Sequence, residues 1–139
     1  MDENPKTPRK QYASFAEFWP DYVRAHTSRT SRQLHFVGLT LAAACVGGGL
    51  LFRKRSLLLA APVFGYGFAW FGHFVFEKNI PLTFTYPLYS LKADWLMWGK
   101  IATGTMDAEV ERFVAEKAAE VAQTEAGSAN GAAVDVAAN

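Results

Sequence analysis

The 139-residue sequence has few of the residues that cross-link a chain or bind metals as thiolates. Its single cysteine, Cys45, excludes an intramolecular disulfide and any zinc site built from several cysteines. The formal net charge of +1 leaves no basic excess to neutralise phosphates, so we expect no nucleic-acid partner. Histidine is equally scarce, because the chain has only three. Each histidine can therefore be considered individually.

Apolar residues are abundant, but they are unevenly distributed along the chain. They make up 50% of it, yet the mean hydropathy is +0.01, because apolar and very polar stretches alternate. Two apolar stretches, 34–52 and 57–76, are each about twenty residues long, which is what a helix needs to cross a bilayer. Only residues 53–56 separate them. We therefore predict an all-α integral membrane protein with a helical hairpin of two spans. A soluble bundle with two buried helices is the alternative, and the absence of a polar face disfavours it.

Amphipathic helices are predicted on both sides of the hairpin. Ser14 and Glu17 match a capping box, which predicts a helix over 15–26 with an aromatic face suited to the membrane surface or to packing against the hairpin. Thr30 and Gln33 match a second capping box, which predicts that the first spanning helix starts just before residue 34. Residues 88–101 have helical spacing but are too polar for a third span, so we predict an interfacial or re-entrant helix there.

These features divide the chain into four regions and favour one orientation. The regions are a disordered polar tail (1–13), a membrane domain (14–104), a charged amphipathic helix (105–123) and a low-complexity tail (124–139). No apolar segment directly follows Met1, so we expect no cleavable signal peptide. Basic residues are more numerous outside the hairpin than in its turn, which favours cytoplasmic termini. The dense basic turn Arg53–Arg55 argues for the opposite orientation.

The three histidines fall near one end of the predicted hairpin. His35 opens the first span and His73 lies near the end of the second, and the midpoint between them, Lys54, falls in the turn. An antiparallel hairpin therefore brings both to the same depth. His26 can fold back to that level from the end of the preceding helix. Glu77 follows His73 at i+4 and so lies on the same side of its helix.

Three imidazoles and a carboxylate at one membrane boundary indicate a metal site. Such a ligand set with open positions suits iron(II), and zinc accepts similar ligands. We predict His26, His35 and His73 as the ligands. Glu77 is the predicted catalytic residue, either as a fourth ligand or as an acceptor that fixes a histidine tautomer. Two alternatives stay open, a structural zinc site and a non-catalytic membrane protein that binds lipid or scaffolds a partner, with structural histidines.

Four motifs that contain these residues resemble a known family. They are Tyr22-x-x-x-His26, Arg32-Gln-Leu-His35-Phe-Val-Gly38, Trp70-Phe-Gly-His73-Phe-Val-Phe-Glu77-Lys-Asn79-Ile-Pro81 and Tyr86-Pro87-Leu88-x-Ser90-Leu91-x-x-Asp94-Trp95-x-Met97-Trp98. Together they resemble the short bacterial branch of the 2-hydroxy fatty acid dioxygenase-like membrane proteins, a family formerly described only as a domain of unknown function. The resemblance covers roughly residues 14–104. Unlike the fungal members, the chain has few hydrophobic segments after the hairpin.

The resemblance implies an activity, a cofactor and a location. The activity is iron(II)-dependent alpha-oxidation, in which a 2-hydroxy fatty acid loses one carbon and dioxygen is consumed. The location is the bacterial inner membrane, and the partners are a membrane lipid or fatty acid and dioxygen. From their positions at the membrane edge, Arg32, Lys78 and Asn79 are predicted to bind the substrate, with Arg32 or Lys78 paired with its carboxylate. The acyl chain is predicted to lie against three phenylalanines, Phe36, Phe74 and Phe76.

Overall fold

The structure of the protein is a computed structural model that describes the backbone of residues 10–137 and the side chains of residues 10–127. Over that range the chain is helical and contains no strand. The five α-helices are α1 (Phe15–Arg24), α2 (Arg29–Leu51), α3 (Arg55–Phe71), α4 (Pro87–Ala102) and α5 (Met106–Ala137). A π-helical segment, Gly72–Glu77, extends α3, and a 3₁₀ turn, Leu82–Phe84, precedes α4. The predicted all-α fold class is confirmed.

Helices α2 and α3 form the predicted hairpin. Two 23-residue helical stretches, Arg29–Leu51 and Arg55–Glu77, are long and apolar enough to cross a membrane. The turn between them is tight, with Arg53 in the left-handed region at φ 53°. Close packing of the two helices depends on Gly38, where a Cβ atom would lie 2.6 Å from the Cβ of Phe68. The hairpin therefore forms as one closely packed antiparallel pair.

Of the two predicted capping boxes, the one at Ser14 forms and the one at Thr30 does not. At α1 the Glu17 N–H donates to Ser14 Oγ at 3.3 Å, and the Glu17 carboxylate accepts the Ala13 N–H at 3.1 Å. The box predicted at Thr30 is wrong, because α2 begins earlier, at Arg29, with Ser28 as its N-cap. The Ser28 side chain accepts the Ser31 N–H at 3.4 Å. The glutamate that completes this cap is Glu77, which comes from the other helix of the hairpin rather than from the local sequence.

Helices α1, α4 and α5 pack together at the histidine end of the hairpin, and we call this unit the α1/α4/α5 bundle. Its buried apolar residues are Phe18, Trp19, Tyr22, Val23, Ala93, Met97, Met106, Val110 and Phe113. The aromatic face predicted for the first helix is therefore used for packing inside the protein. Trp98 ties α4 to the hairpin, since its Nε1–H donates to the Thr40 hydroxyl at 2.9 Å.

The last helix is longer than the sequence indicates. The predicted charged helix ends at residue 123, whereas α5 continues to Ala137 through the segment expected to be a low-complexity tail. Alanine has the highest helix propensity of all residues and is frequent there, which favours this continuation. Residues 1–9 of the predicted N-terminal tail and residues 138–139 of the C-terminal tail lie outside the described residues.

Candidate metal centre

The three histidines come from three different elements and meet at one point. His26 follows α1 in the loop to α2, His35 lies in the second turn of α2, and His73 lies in the π-helical segment. All three are buried, with exposed fractions of 1%, 6% and 3%. One ring nitrogen from each lies within 4.8 Å of the other two. The histidines therefore form a compact buried triad.

Hydrogen bonds at Nδ1 fix the tautomer of each ring. His26 Nδ1 lies 2.6 Å from the Tyr22 carbonyl oxygen, and His35 Nδ1 lies 2.9 Å from the Ser31 carbonyl oxygen. His73 Nδ1 lies 2.7 Å from the side-chain oxygen of Asn79. A carbonyl oxygen can only accept, so each Nδ1 must carry the proton and donate it. In the neutral rings, Nε2 is then left with a lone pair.

The lone pairs point toward one another rather than toward donors. His26 Nε2 and His35 Nε2 are 3.3 Å apart, and both are acceptors in the tautomers just assigned. The centroid of the His73 ring lies 4.5 Å from that of His26 and 5.0 Å from that of His35. Acceptors this close repel one another unless a cation lies between them. The arrangement is that of a site for a positively charged ligand.

Asn79 holds His73 to the loop that carries His26. Its side-chain N–H₂ donates to the Ala25 carbonyl oxygen at 2.9 Å, while its oxygen accepts from His73. The chain reverses at Lys78, which adopts φ 55°, so that Asn79 can reach back to His73. The π-helical segment immediately before this reversal is a geometry often found at functional sites. Asn79 is therefore placed as an orienting partner of the histidine ring, and its predicted contact with substrate is untested.

Glu77 lies near the triad, but its carboxylate contacts the residues at the start of α2. It accepts the Ser28 N–H at 2.9 Å and the Thr27 hydroxyl at 3.2 Å. It therefore completes the N-terminus of α2 and joins the end of the second span to the start of the first. The structure does not bring Glu77 into the buried triad. Its catalytic role stays a prediction.

The two basic residues predicted to bind substrate are placed differently. Arg32 is buried and donates to the carbonyl oxygens of His26 at 2.8 Å and Thr27 at 2.7 Å. It also pairs with Asp107 of α5 at 2.5 Å. Arg32 thus fixes the backbone around His26, whereas Lys78 is exposed. Neither residue lines the cavity described below.

Tyr22 and Asp94 are part of the site, although the sequence did not suggest a role for either. The Tyr22 ring stacks on His26 with centroids 4.1 Å apart, and its carbonyl oxygen accepts from that histidine. Its hydroxyl donates to Asp94 of α4. The only available signals were the i, i+4 spacing of Tyr22 and His26 and the presence of both residues in the family motifs.

Burial shifts the pKa of two groups of the site that lie outside the hairpin, His26 and Asp94. It lowers the pKa of His26 well below the usual range for histidine, and the neighbouring His35 and His73 lower it further. It raises the pKa of Asp94 from 3.8 to about 7, although the hydrogen bond from Tyr22 acts in the opposite direction. Near neutral pH His26 is therefore uncharged, and Asp94 can both hold and release a proton.

A cavity of about 520 Å³ opens beside the triad. All three histidines line it, together with Tyr22 and Asp94. Ser90 of α4 also lines it, and its buried hydroxyl has no hydrogen-bond partner among the described residues. Most of the remaining lining is apolar and comes from α2 and α3. None of the three phenylalanines predicted to contact an acyl chain (Phe36, Phe74 and Phe76) lines this cavity.

The donor set fits a divalent metal ion. Three neutral imidazoles with converging lone pairs supply the nitrogen ligands that iron and zinc both accept. Each ligand ring is held through its other nitrogen by a carbonyl group, which is the usual arrangement around a metal-binding histidine. The cavity beside them leaves room for a further ligand. The buried triad could therefore hold a metal with open coordination positions.

Comparison with known proteins agrees with this geometry. No curated protein and no solved structure matches the chain. The family model described as 2-hydroxy-palmitic acid dioxygenase Mpo1-like matches residues 12–106. The match contains the hairpin, α1, α4 and all three histidines of the triad. The chain therefore belongs to the family of 2-hydroxy-palmitic acid dioxygenase Mpo1-like proteins.

Proposed function

We propose that this protein is a membrane-embedded, non-haem iron(II) dioxygenase that shortens 2-hydroxy fatty acids by one carbon. The observation that carries the proposal is the triad itself, in which one ring nitrogen from each of three buried histidines lies within 4.8 Å of the other two, beside a largely apolar cavity. Family membership supports the substrate class. His26, His35 and His73 would hold the metal. Iron(II) would supply the one-electron chemistry that lets dioxygen react with an organic acid.

The proposed reaction balances without a further co-reactant. A 2-hydroxy acid and one dioxygen give the acid shorter by one carbon, carbon dioxide and water. The bond between C1 and C2 breaks, C1 leaves as carbon dioxide and C2 becomes the new carboxyl carbon. The electrons that C1 and C2 lose are those that dioxygen takes up on full reduction.

Two polar side chains of α4 suit the head group of such a substrate. Ser90 and Asp94 lie one helical turn apart and both line the cavity. The Ser90 hydroxyl can donate to the substrate carboxylate, which would give this buried oxygen a partner. Asp94, the one carboxylate that lines the cavity, can accept the proton of the 2-hydroxyl group. Lys78, Arg32 and Asn79 stay candidates for the outer part of the site.

The exposed apolar surface of the hairpin supports embedding in a bilayer. Within the most apolar window of each hairpin helix, only 17% of the residues are buried in the protein, whereas the core helix of a soluble protein is mostly buried. From the resemblance to the short bacterial branch of the family we further propose the bacterial inner membrane as the location. The distribution of basic residues favours an orientation with both termini in the cytoplasm. Single cysteines placed at Lys54 and Lys117 in a Cys45→Ala background test this orientation. An impermeant thiol reagent should label only position 54 in intact cells, and the reverse result would invert the topology.

Oxygen uptake tests the proposed reaction. Protein loaded with iron(II) under anaerobic conditions should consume oxygen when given 2-hydroxyhexadecanoic acid, and pentadecanoic acid should accumulate. Hexadecanoic acid, which lacks the hydroxyl group, should give neither result, and zinc-loaded protein serves as the metal control. If the iron-loaded protein binds the hydroxy acid without consuming oxygen, the lipid-binding alternative is favoured.

A further inference from the structure

The cavity beside the triad continues along the hairpin as a lengthwise channel, which is open on one side because Ala43, Val46 and Gly47 of its lining are exposed. On α2 its lining positions after His35 are Leu39, Ala42, Ala43, Val46 and Gly47, which follow one helical face. On α3 the matching positions before His73 are Ala61, Pro62, Gly65, Tyr66, Ala69 and Trp70. The two faces line the channel together, and the end farthest from the histidines lies at Gly47 and Ala61.

The length of this channel corresponds to a long acyl chain. Val46 and Pro62, each one residue from the far end of the channel, lie eleven positions from His35 and His73 respectively. At the rise of an α-helix, each stretch extends about 16 Å along the hairpin. An extended zigzag of carbon–carbon bonds of about 1.5 Å needs on the order of a dozen carbons to cover that distance. An acid whose head group lies at the triad would therefore extend to the far end of the channel.

Small side chains keep the channel open. Alanine and glycine occupy most of its lining positions on α2, and a Cβ atom added at Gly47 would meet no other atom within 4 Å. A larger side chain at position 47 would thus occupy space at the far end of the channel without forcing the helices apart. Ala43 lines the channel on the same helical face, one helical turn closer to the histidines.

We infer that the channel along the hairpin limits the acyl-chain length of the 2-hydroxy acid substrate, and that Gly47 determines the longest chain that binds tightly. The occupant is the acyl chain because the channel is apolar and runs continuously into the triad. The inference rests on the proposed function for the identity of the head group. The position of the chain-length limit rests only on the channel.

Matched glycine substitutions test this inference in the full-length protein in lipid nanodiscs. Gly67 is the control for Gly47, because it lies on α3, is also exposed and likewise has no atom within 4 Å of an added Cβ, but does not line the channel. Displacement of a fluorescent fatty acid gives Kd for 2-hydroxydodecanoic and 2-hydroxyhexadecanoic acids. The ratio of the two Kd values is compared between variants, since partitioning into the bilayer is then the same for all.

We expect Gly47→Leu to weaken binding of the hexadecanoic acid about tenfold, because leucine takes up the space of two or more methylene groups and removes their apolar contacts. Binding of the dodecanoic acid should stay within about twofold of wild type. Ala43→Leu should weaken binding of both acids, and Gly67→Leu should weaken neither. Gly47→Val, with a smaller side chain, provides the same comparison if the leucine variant folds poorly.

The outcomes separate this inference from the proposed function. Equal Kd ratios in Gly47→Leu, Gly67→Leu and wild type would overturn it, because the channel would then not measure chain length. The inference would also be overturned if Gly47→Leu weakened the binding of both acids equally. A shifted ratio in a protein that consumes no oxygen would support the channel and contradict the oxygenase. Oxygen consumption with an unchanged Kd ratio would support the oxygenase and contradict the role of the channel.

Discussion

Each histidine of the triad is oriented by a carbonyl oxygen, but only His73 depends on a side chain for it. The backbone oxygens of Tyr22 and Ser31 accept from His26 and His35, and both belong to the helical turn that precedes the ring. His73 instead depends on Asn79, which lies beyond the end of its helix. Substitution can therefore perturb the orientation of His73 alone.

We expect Asn79→Ala to lower the metal affinity of the site about tenfold to a hundredfold. The substitution removes the acceptor that fixes the His73 tautomer and also the bond to the Ala25 carbonyl oxygen. Titration with a competing chelator measures the change. Asn79→Asp keeps an acceptor for His73 Nδ1–H and should retain most of the affinity. Equal affinities for the alanine variant and wild type would show that the ring needs no such partner.

Ser90→Ala separates a binding role from a structural one. The Ser90 hydroxyl is buried without a partner among the described residues, so its removal should leave the thermal stability unchanged or raise it. The affinity for 2-hydroxy acids should fall about tenfold, because one hydrogen bond to a charged group is lost. A variant that is less stable but binds the acids normally would show that Ser90 contributes to stability and not to binding.

Asp94 should make the stability of the protein depend on pH in an unusual direction. Its pKa is about 7 in the folded protein and 3.8 as a free group, so between these values the folded state binds more protons than the unfolded state. The stability that Asp94 contributes therefore falls as the pH rises from 3.8 to about 7. The carboxylates whose pKa is lowered, Asp21 and Glu109, contribute in the opposite direction.

Comparison with Asp94→Asn isolates this contribution. Asparagine keeps an acceptor for the Tyr22 hydroxyl but does not titrate. The melting temperature of wild type relative to that of the variant, both measured in detergent, should fall as the pH rises through this window. A difference that is constant from pH 3.8 to 7 would mean that Asp94 titrates at its ordinary pKa.

At the scale of elements, Glu77 connects the two helices of the hairpin at their open end. Glu77→Ala should destabilise the protein by about 1 kcal/mol, because it removes an acceptor from the N-terminus of α2. Glu77→Gln retains an oxygen acceptor and should lose less. Metal content should be unchanged in both variants, as judged by elemental analysis. Loss of metal in a variant that keeps its stability would instead make Glu77 a ligand.

Some elements could be predicted from the sequence because their signals are local. The two spans follow from length and composition, and the approach of His35 to His73 follows from a turn midway between them. The predicted start of α2 is wrong, because its N-cap Ser28 has no glutamate or glutamine three residues later, and the acceptor for the Ser28 N–H is Glu77 from a distant segment. The positions of Tyr22 and Asp94 depend on how α1 docks against α4, for which the sequence carries no periodic signal.

The whole molecule joins two regions with different surfaces. The hairpin exposes apolar side chains such as Leu51, Leu59 and Val63, with exposed fractions of 76%, 74% and 69%. The α1/α4/α5 bundle instead buries its apolar residues in a core of its own. The triad lies where the two regions meet, so a head group can be bound at the bundle while its chain extends along the hairpin. This arrangement suits a substrate that reaches the site from the bilayer.

The metal content of the purified protein tests the central claim most directly. Full-length protein, extracted in mild detergent and analysed for iron and zinc, should contain or take up about one iron per chain. His26→Ala, His35→Ala and His73→Ala should each lose it, while Gly67→Leu, distant from the triad, should retain it. Folded wild-type protein that binds neither metal, or histidine variants that bind iron as wild type does, would contradict the account.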